Sequence, residues 1–204
     1  LWEEGRRVDE ADALYSAAAT VLPTAKALLI HALAETGQIE RARALWRDTT
    51  AVGLPEIPPD MLWPFGTTSL AAASWHLGDP TYAAELTAQL SRLSGELTSS
   101  GAGFHGAVDH YLGLLAALVG DYDRAEACFA AAERLETAMD HIPRVCRTLM
   151  ARAETIMRRA PDDPGERARA LELLDRAIAL AAARDLPGTH ARACAQRSAL
   201  ADRT

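Results

Sequence analysis

The chain has 204 residues, of which 49% are hydrophobic and 24% charged, a normal balance for one large or two small globular domains. Alanine supplies 43 residues against 12 for valine and isoleucine together, and aromatic residues make up 5%, which argues against a β-sandwich or barrel and predicts an all-α fold. The net charge of -7 gives no general attraction to nucleic acid or to an anionic membrane, and no run of 18 apolar residues could span a bilayer.

Apolar spacing and turn residues predict a chain of helices joined by short loops. The predicted helices cover residues 8–21, 24–36, 38–52, 61–77, 80–95, 105–119, 121–138, 142–159, 166–184 and 189–202. Residues 53–59 contain three prolines and are predicted to be non-helical, and residues 94–103 are polar and glycine-rich, as is typical of a loop.

Small and large residues recur in a fixed order along the chain. The clearest copy lies in residues 111–132 and consists of Leu112-Gly113, Gly120-Asp121-Tyr122, Ala125, Phe129 and Ala132. This order resembles the tetratricopeptide repeat, and the resemblance implies a right-handed α-solenoid of helical hairpins. Glycine and alanine let two helix backbones approach, and an aromatic residue fills the gap against the next hairpin, so Phe129 and its counterparts Trp46 and Leu174 are predicted to be core residues.

Weaker copies flank this one. The first alanine of each second helix falls at residues 11, 42, 83, 125 and 170, and the spacings mostly exceed the family period of about 34 residues. The predicted organisation is a partial repeat over residues 1–22, repeats over 23–53, 60–95, 104–139 and 141–185, and a capping helix over 189–202. Because the chain begins within a repeat and lacks an initiator Met, we expect it to be a piece of a longer protein.

A wider resemblance rests on Met61-Leu62-Trp63 after the first long connection, on GAVDHYLG at residues 106–113 and on DPGERA at residues 163–168. These segments are similar to the C-terminal helical-repeat region of large multidomain bacterial regulators, in which an ATPase module is joined to such repeats and to a LuxR-type DNA-binding or nucleotide-cyclase domain. The resemblance implies a non-enzymatic scaffold in signal transduction or transcription regulation. Its expected partners are a protein or peptide, an adjacent domain or a second copy.

No pattern in the sequence indicates catalysis, a metal or a cofactor, and none of these is expected. Residues 101–106 spell GxGxxG, but no strand is predicted before them, so we expect a flexible loop and not a nucleotide site. None of the six histidines is expected to belong to a zinc site. The cysteines Cys128, Cys146 and Cys194 lack CxxC spacing and are expected to be reduced packing residues, as in the cytoplasm.

The concave face of the predicted solenoid is the most promising binding surface. In repeat register its side chains include His31, Glu35, Thr68, Trp75, His110, Arg147 and Glu154. Three interpretations remain open: docking of a peptide or protein, binding of a small-molecule inducer, and an open solvated surface without a ligand. Docking predicts an open groove without an enclosed cavity, whereas inducer binding predicts a closed, partly apolar pocket near Trp75 and His110.

Overall fold

The computed structural model describes residues 13, 16–19, 22–99 and 104–202, and these are mostly helical, so the predicted all-α class is confirmed. The helices are α1 (Pro23–Glu35), α2 (Ile39–Thr49), α3 (Trp63–Leu77), α4 (Ala83–Leu90), α5 (Val108–Leu118), α6 (Tyr122–Ala138), α7 (Ile142–Arg159), α8 (Pro164–Ala183) and α9 (Pro187–Ala201). A single 3-10 turn (Ser91–Leu93) follows α4. The predicted helix over 8–21 lies largely outside the described residues; residues 16–19 are helical.

Local sequence signals explain most helix starts. Proline occupies the first or second position of α1, α3, α7, α8 and α9, where its missing N–H and its restricted φ are both suited to a helix start. Asp163 caps α8 by accepting hydrogen bonds from the backbone N–H groups of Gly165 and Glu166, at 2.8 and 2.9 Å. At the other end of a helix, Gly78 closes α3 in the left-handed conformation, with φ 66°.

Each helix packs against the next one in the chain, and the odd-numbered helices also pack against one another in succession. One apolar core joins α1 to α6, and a second joins α7, α8 and α9. The contact between α5 and α6 is close, because a Cβ atom on Gly113 would lie 2.7 Å from the ring of Phe129. Phe129, Trp46 and Leu174 are all buried, so their prediction as core residues is confirmed. No helix in the described ranges is both long enough and apolar enough to cross a membrane.

The segment before α5 differs from the prediction. Residues Leu97–Ser99 form strand β1, which pairs antiparallel with β2 (Phe104–Ala107). The expectation of a strand-free loop and of a helix from residue 105 was therefore wrong. The antiparallel pairing gives a hairpin, not the parallel βαβ unit that a dinucleotide site requires, and residues 101–103 of the glycine motif lie outside the described part of the chain.

Long-range contacts hold β2 in place, which explains why local sequence did not reveal it. The Glu136 side chain accepts a hydrogen bond from Ala107 N at 3.1 Å, and Arg144 donates to the carbonyl oxygen of Phe104 at 2.8 Å. Gly106 has φ 95°, and a Cβ atom there would lie 2.8 Å from the Glu136 carboxylate. Both the backbone conformation and the close approach therefore favour glycine at this position.

Asp109 ties the turn before β1 to α5. Its buried carboxylate accepts hydrogen bonds from Ser94 Oγ at 2.8 Å and from Gly95 N at 2.7 Å. We expect Asp109→Ala to lower the free energy of unfolding by about 2 kcal/mol, because two hydrogen bonds to a buried carboxylate are lost. Urea denaturation would measure this loss. Asp123→Ala is the control, since that side chain is 92% exposed and its removal should cost less than about 0.5 kcal/mol. Equal losses in the two variants would contradict the prediction.

Candidate functional site

A cleft of about 170 Å³ opens between the odd-numbered helices α1, α3, α5, α7 and α9. One part of its wall is apolar and consists of Trp75, Leu114, Pro143, Met150 and Ala151. The other part is polar and consists of Glu35, His76, His110, Arg147, Glu154, Thr189, Arg192 and Gln196. An apolar wall facing a few convergent polar groups is the usual composition of a small-molecule site.

The structure brings most of the predicted groove residues to this cleft. Five of the seven line it: Glu35, Trp75, His110, Arg147 and Glu154. His31 is fully buried and contacts Glu35 and Arg147. Thr68 does not line the cleft: it is buried, and its hydroxyl donates to the carbonyl oxygens of Pro64 and Phe65 in its own helix. It lies seven residues, or about 10 Å, before Trp75 along α3, and the cleft is confined to the other end of that helix.

Glu35 is the charged centre of the cleft. Its side chain is 8% exposed, and its Oε2 atom lies 2.5 Å from Arg147 Nη2 and 3.2 Å from His31 Nε2. Its Oε1 atom accepts a hydrogen bond from Arg192 Nη1 at 3.2 Å. Burial raises the pKa of Glu35, but the Arg147 charge and the His31 hydrogen bond outweigh it and hold this pKa well below its usual range. The ionised carboxylate therefore links α1 to α7 and to α9.

Several histidines surround this carboxylate in their neutral form. Burial is the main cause that lowers the pKa of His105 and His110, and nearby arginines lower both pKa values further. The pKa of His76 is lowered as well, to about 3, again mainly because the packed side chains around it remove water from the charged form. Part of this residue is still exposed to solvent in the cleft. At neutral pH these imidazoles therefore offer lone pairs and carry no charge.

A buried hydrogen-bond chain orients His110. Its Nδ1 atom lies 3.0 Å from Thr148 Oγ1, and the Thr148 hydroxyl donates to Glu136 at 2.9 Å. Because the single hydroxyl hydrogen is engaged with Glu136, Nδ1 of His110 is the donor of its pair and Nε2 keeps the lone pair. Burial raises the pKa of Glu136, while its bonds from Ala107 and Thr148 favour the ionised form. The cleft thus contains an imidazole held in one tautomer.

The cleft rim carries an aromatic and charged cluster. The Arg158 guanidinium carbon lies 3.8 Å from the centre of the Trp75 ring, and Arg158 donates to Glu154 at 2.8 Å. Both charged side chains are partly exposed, so this pair contributes little to stability. It does cover one face of the Trp75 ring.

Sequence reasoning missed the contribution of α9, which it had taken for a cap. Thr189, Arg192 and Gln196 follow a three- and four-residue spacing, so they share one helix face, and all three line the cleft. Gln196 also donates to the Met150 carbonyl oxygen at 3.0 Å, which joins α9 to α7. This spacing predicts a polar face on α9, but it does not predict that the face lies across the cleft from α1.

Comparison of the chain with protein-family models, with curated proteins and with solved structures found no match.

The buried histidines predict a fall in stability in mild acid. His105 and His110 stay neutral in the folded protein, but in the unfolded chain a histidine binds a proton below its ordinary pKa of about 6.5. Their contribution to the free energy of unfolding is therefore complete above that pH and is lost as the pH falls. Each histidine contributes a slope of about 1.4 kcal/mol per pH unit below about pH 6.5 and almost none above it. We expect the free energy of unfolding to be about 3 kcal/mol lower at pH 5.5 than at pH 7.5.

Urea denaturation across this pH range checks the expectation. Glu136 acts in the opposite direction, because its raised pKa favours proton uptake by the folded state. The His110→Gln variant removes one of the two buried histidines and should lower the slope by up to about 1.4 kcal/mol per pH unit. An equal slope in wild type and variant would contradict the assignment.

Proposed function

We propose that the chain is a non-enzymatic regulatory domain that binds a small molecule in the cleft between its odd-numbered helices. It is a right-handed solenoid of tetratricopeptide-like hairpins in this proposal, and it belongs to a larger bacterial signalling or transcriptional regulator. The observation that supports inducer binding over peptide docking is the partly apolar lining of the cleft at Trp75 and His110. The cleft is open to solvent, however, and is not the closed pocket that inducer binding predicts.

The size and lining of the cleft indicate the kind of ligand. A volume of about 170 Å³ is close to that of cavities that hold one benzene-sized molecule. Trp75, Leu114 and Met150 offer an apolar surface for the body of such a molecule. Arg192 and Gln196 offer donors for a polar end, and the lone pair on His110 accepts a hydrogen bond. We expect a compact ligand with an apolar body and at least one polar group.

Ligand binding at this place acts on the geometry of the whole row of helices. The cleft wall includes α1 near the start of the described chain and α9 at its end, and Glu35 joins them through Arg192. A ligand that prefers one spacing between these helices shifts the population toward it. The change in helix spacing is the signal that an adjoining domain would receive.

A thermal-shift screen of small aromatic and aliphatic acids, amines and alcohols tests the proposal. Ala151→Leu is the key variant because it fills the cleft from a partly exposed wall position without removing a contact. Ala127→Leu, at an exposed position of α6, is the matched control. We expect a hit at 100 times its dissociation constant to stabilise the wild type and the control by about 2.7 kcal/mol, and Ala151→Leu far less. Equal stabilisation of all three proteins, or no hit at all, would count against a ligand in this cleft.

Protein docking remains the second proposal, with a peptide, an adjacent domain or a second copy as partner. The stacked hairpins support it, because they present side chains from successive helices at regular spacing. A partner that binds Ala151→Leu as well as it binds wild type would favour this function over inducer binding.

A further inference from the structure

Two histidines and a carboxylate converge at the inner end of the cleft. His31 and Glu35 are four residues apart on α1, which places them on the same helix face. His76 comes from the end of α3, which packs against α1, and the rings of His31 and His76 stack with their centres 5.9 Å apart. One potential ligand atom from each of the three side chains lies within 4.8 Å of the other two.

These distances are close to those of a metal centre. Tetrahedral zinc has bonds of about 2.0–2.2 Å to nitrogen and oxygen, so its ligand atoms lie about 3.3–3.6 Å apart. His31 Nε2 and Glu35 Oε2 are separated by 3.2 Å, so this pair already has nearly the required spacing. The ligand atom of His76 lies no more than 4.8 Å from the other two, so it needs a movement of at most about 1.5 Å, and the exposed position of His76 in the cleft leaves room for it.

The guanidinium of Arg147 occupies this position in the structure. Arg147 Nη2 lies 3.2 Å from His31 Nε2 and 2.5 Å from Glu35 Oε2, the same two atoms that would bind a metal. The guanidinium and a metal ion therefore exclude each other. Arg147 lines the cleft and is 15% exposed, so its long side chain can turn into the cleft. Arg192 uses the other carboxylate oxygen of Glu35, Oε1, and leaves Oε2 to the metal.

We propose that His31, Glu35 and His76 form a binding site for a divalent transition metal such as Zn²⁺, and that Arg147 fills the site in the metal-free protein. Two imidazoles and one carboxylate suit Zn²⁺, Co²⁺ or Ni²⁺ better than Mg²⁺ or Ca²⁺, which prefer oxygen ligands. The fourth position faces the cleft and is open to water or to a small molecule.

This site differs from the expectation that the sequence contains no metal centre, and it does not depend on a small-molecule ligand. Its occupation has a structural consequence, because the metal replaces the Arg147 contact to Glu35 that links α7 to α1. Metal and guanidinium compete for one carboxylate oxygen. Removing the guanidinium should therefore strengthen metal binding.

Calorimetric titration of the whole chain with Zn²⁺ and Co²⁺ tests the proposal. We expect one equivalent to bind to the wild type and His76→Ala to bind at least tenfold more weakly. That variant removes a solvent-open ring and should remain folded, which a thermal melt verifies. We expect Arg147→Gln to bind at least tenfold more tightly, a gain that cannot arise from loss of folding.

His190→Gln is the matched control, because the chain offers a second pair of metal-binding groups. His190 Nδ1 lies 3.8 Å from Cys194 Sγ on α9, and the sulfur would give Co²⁺ a thiolate charge-transfer band. The proposal requires that His190→Gln bind as wild type does and that the Co²⁺ spectrum lack this band. Absence of binding, binding lost in His190→Gln, or affinities unchanged in both His76→Ala and Arg147→Gln would overturn the proposal.

Discussion

Replacing Phe129 with alanine is expected to lower the free energy of unfolding by about 4 kcal/mol, one of the two largest single-residue effects that we predict. The ring is fully buried between α5 and α6 and touches the place where Gly113 lacks a side chain. Truncation leaves a cavity at the contact of two helices, and the helix backbones cannot close it without moving. Urea denaturation measures the loss. Arg134→Ala, at an exposed position of α6, is the control and should cost less than about 0.5 kcal/mol.

A substitution at Gly113 tests whether the loss in Phe129→Ala comes from the close packing of the two residues or only from lost apolar area. Gly113→Ala should cost about 2 kcal/mol, because the new methyl group would lie 2.7 Å from the Phe129 ring. In a Phe129→Leu background the same change should cost at least about 1 kcal/mol less, because the smaller side chain leaves room for the methyl group. Additive costs would show that the two positions do not share one packing contact.

The repeat pattern predicted that Gly113 lies at a helix crossing and that Phe129 is buried, because small and large residues at such a crossing are a local signal. It placed the aromatic ring against the next hairpin, whereas Phe129 packs on Gly113 of its own hairpin. Gly113 and Phe129 belong to one helical hairpin, so a pattern within a short stretch of sequence detects both positions. The same local signals located the helices α1 to α9 to within a few residues. The largest errors were at the hairpin before α5, where contacts from Glu136 and Arg144 decide the structure of Phe104–Ala107.

The cleft was predictable in part for the same reason. Repeat register brought Glu35, Trp75, His110, Arg147 and Glu154 to one surface, because odd-numbered helices pack side by side. Register alone could not place Thr68, since a residue on the correct helix face can still lie too far along the axis. Nor could it show that Arg192 reaches Glu35, a contact between residues 157 positions apart.

The metal-ligand group combines a local signal and a distant one. The spacing of His31 and Glu35 is visible in the sequence as a four-residue step on one helix, although no histidine was expected to form a zinc site with such a neighbour. The third side chain, His76, comes from a different hairpin, and only the packing of α3 on α1 brings it near. A pattern search within one helix therefore finds two of the three side chains.

The other large effect is expected at Glu35, whose replacement by leucine should lower the free energy of unfolding by about 3 kcal/mol. The change leaves Arg147 beside His31 without its carboxylate, in a place where its side chain is 15% exposed. Glu154→Leu is the matched control, since that carboxylate also lines the cleft and pairs with an arginine, but both partners are about 40% exposed. The control should cost less than about 1 kcal/mol.

A double-mutant cycle shows whether the loss comes from the ion pair. Replacing both Glu35 and Arg147 by leucine removes the uncompensated charge and should recover at least about 2 kcal/mol of the loss seen with Glu35→Leu, because apolar pairs often substitute for buried ion pairs without cost. Chemical denaturation of the four proteins at neutral pH gives the coupling. If Glu35→Leu costs no more than Glu154→Leu, the carboxylate at residue 35 is effectively solvated. In that case it cannot hold α1 against α7 and α9. Ligand binding in the cleft could then not alter the spacing of these helices through Glu35.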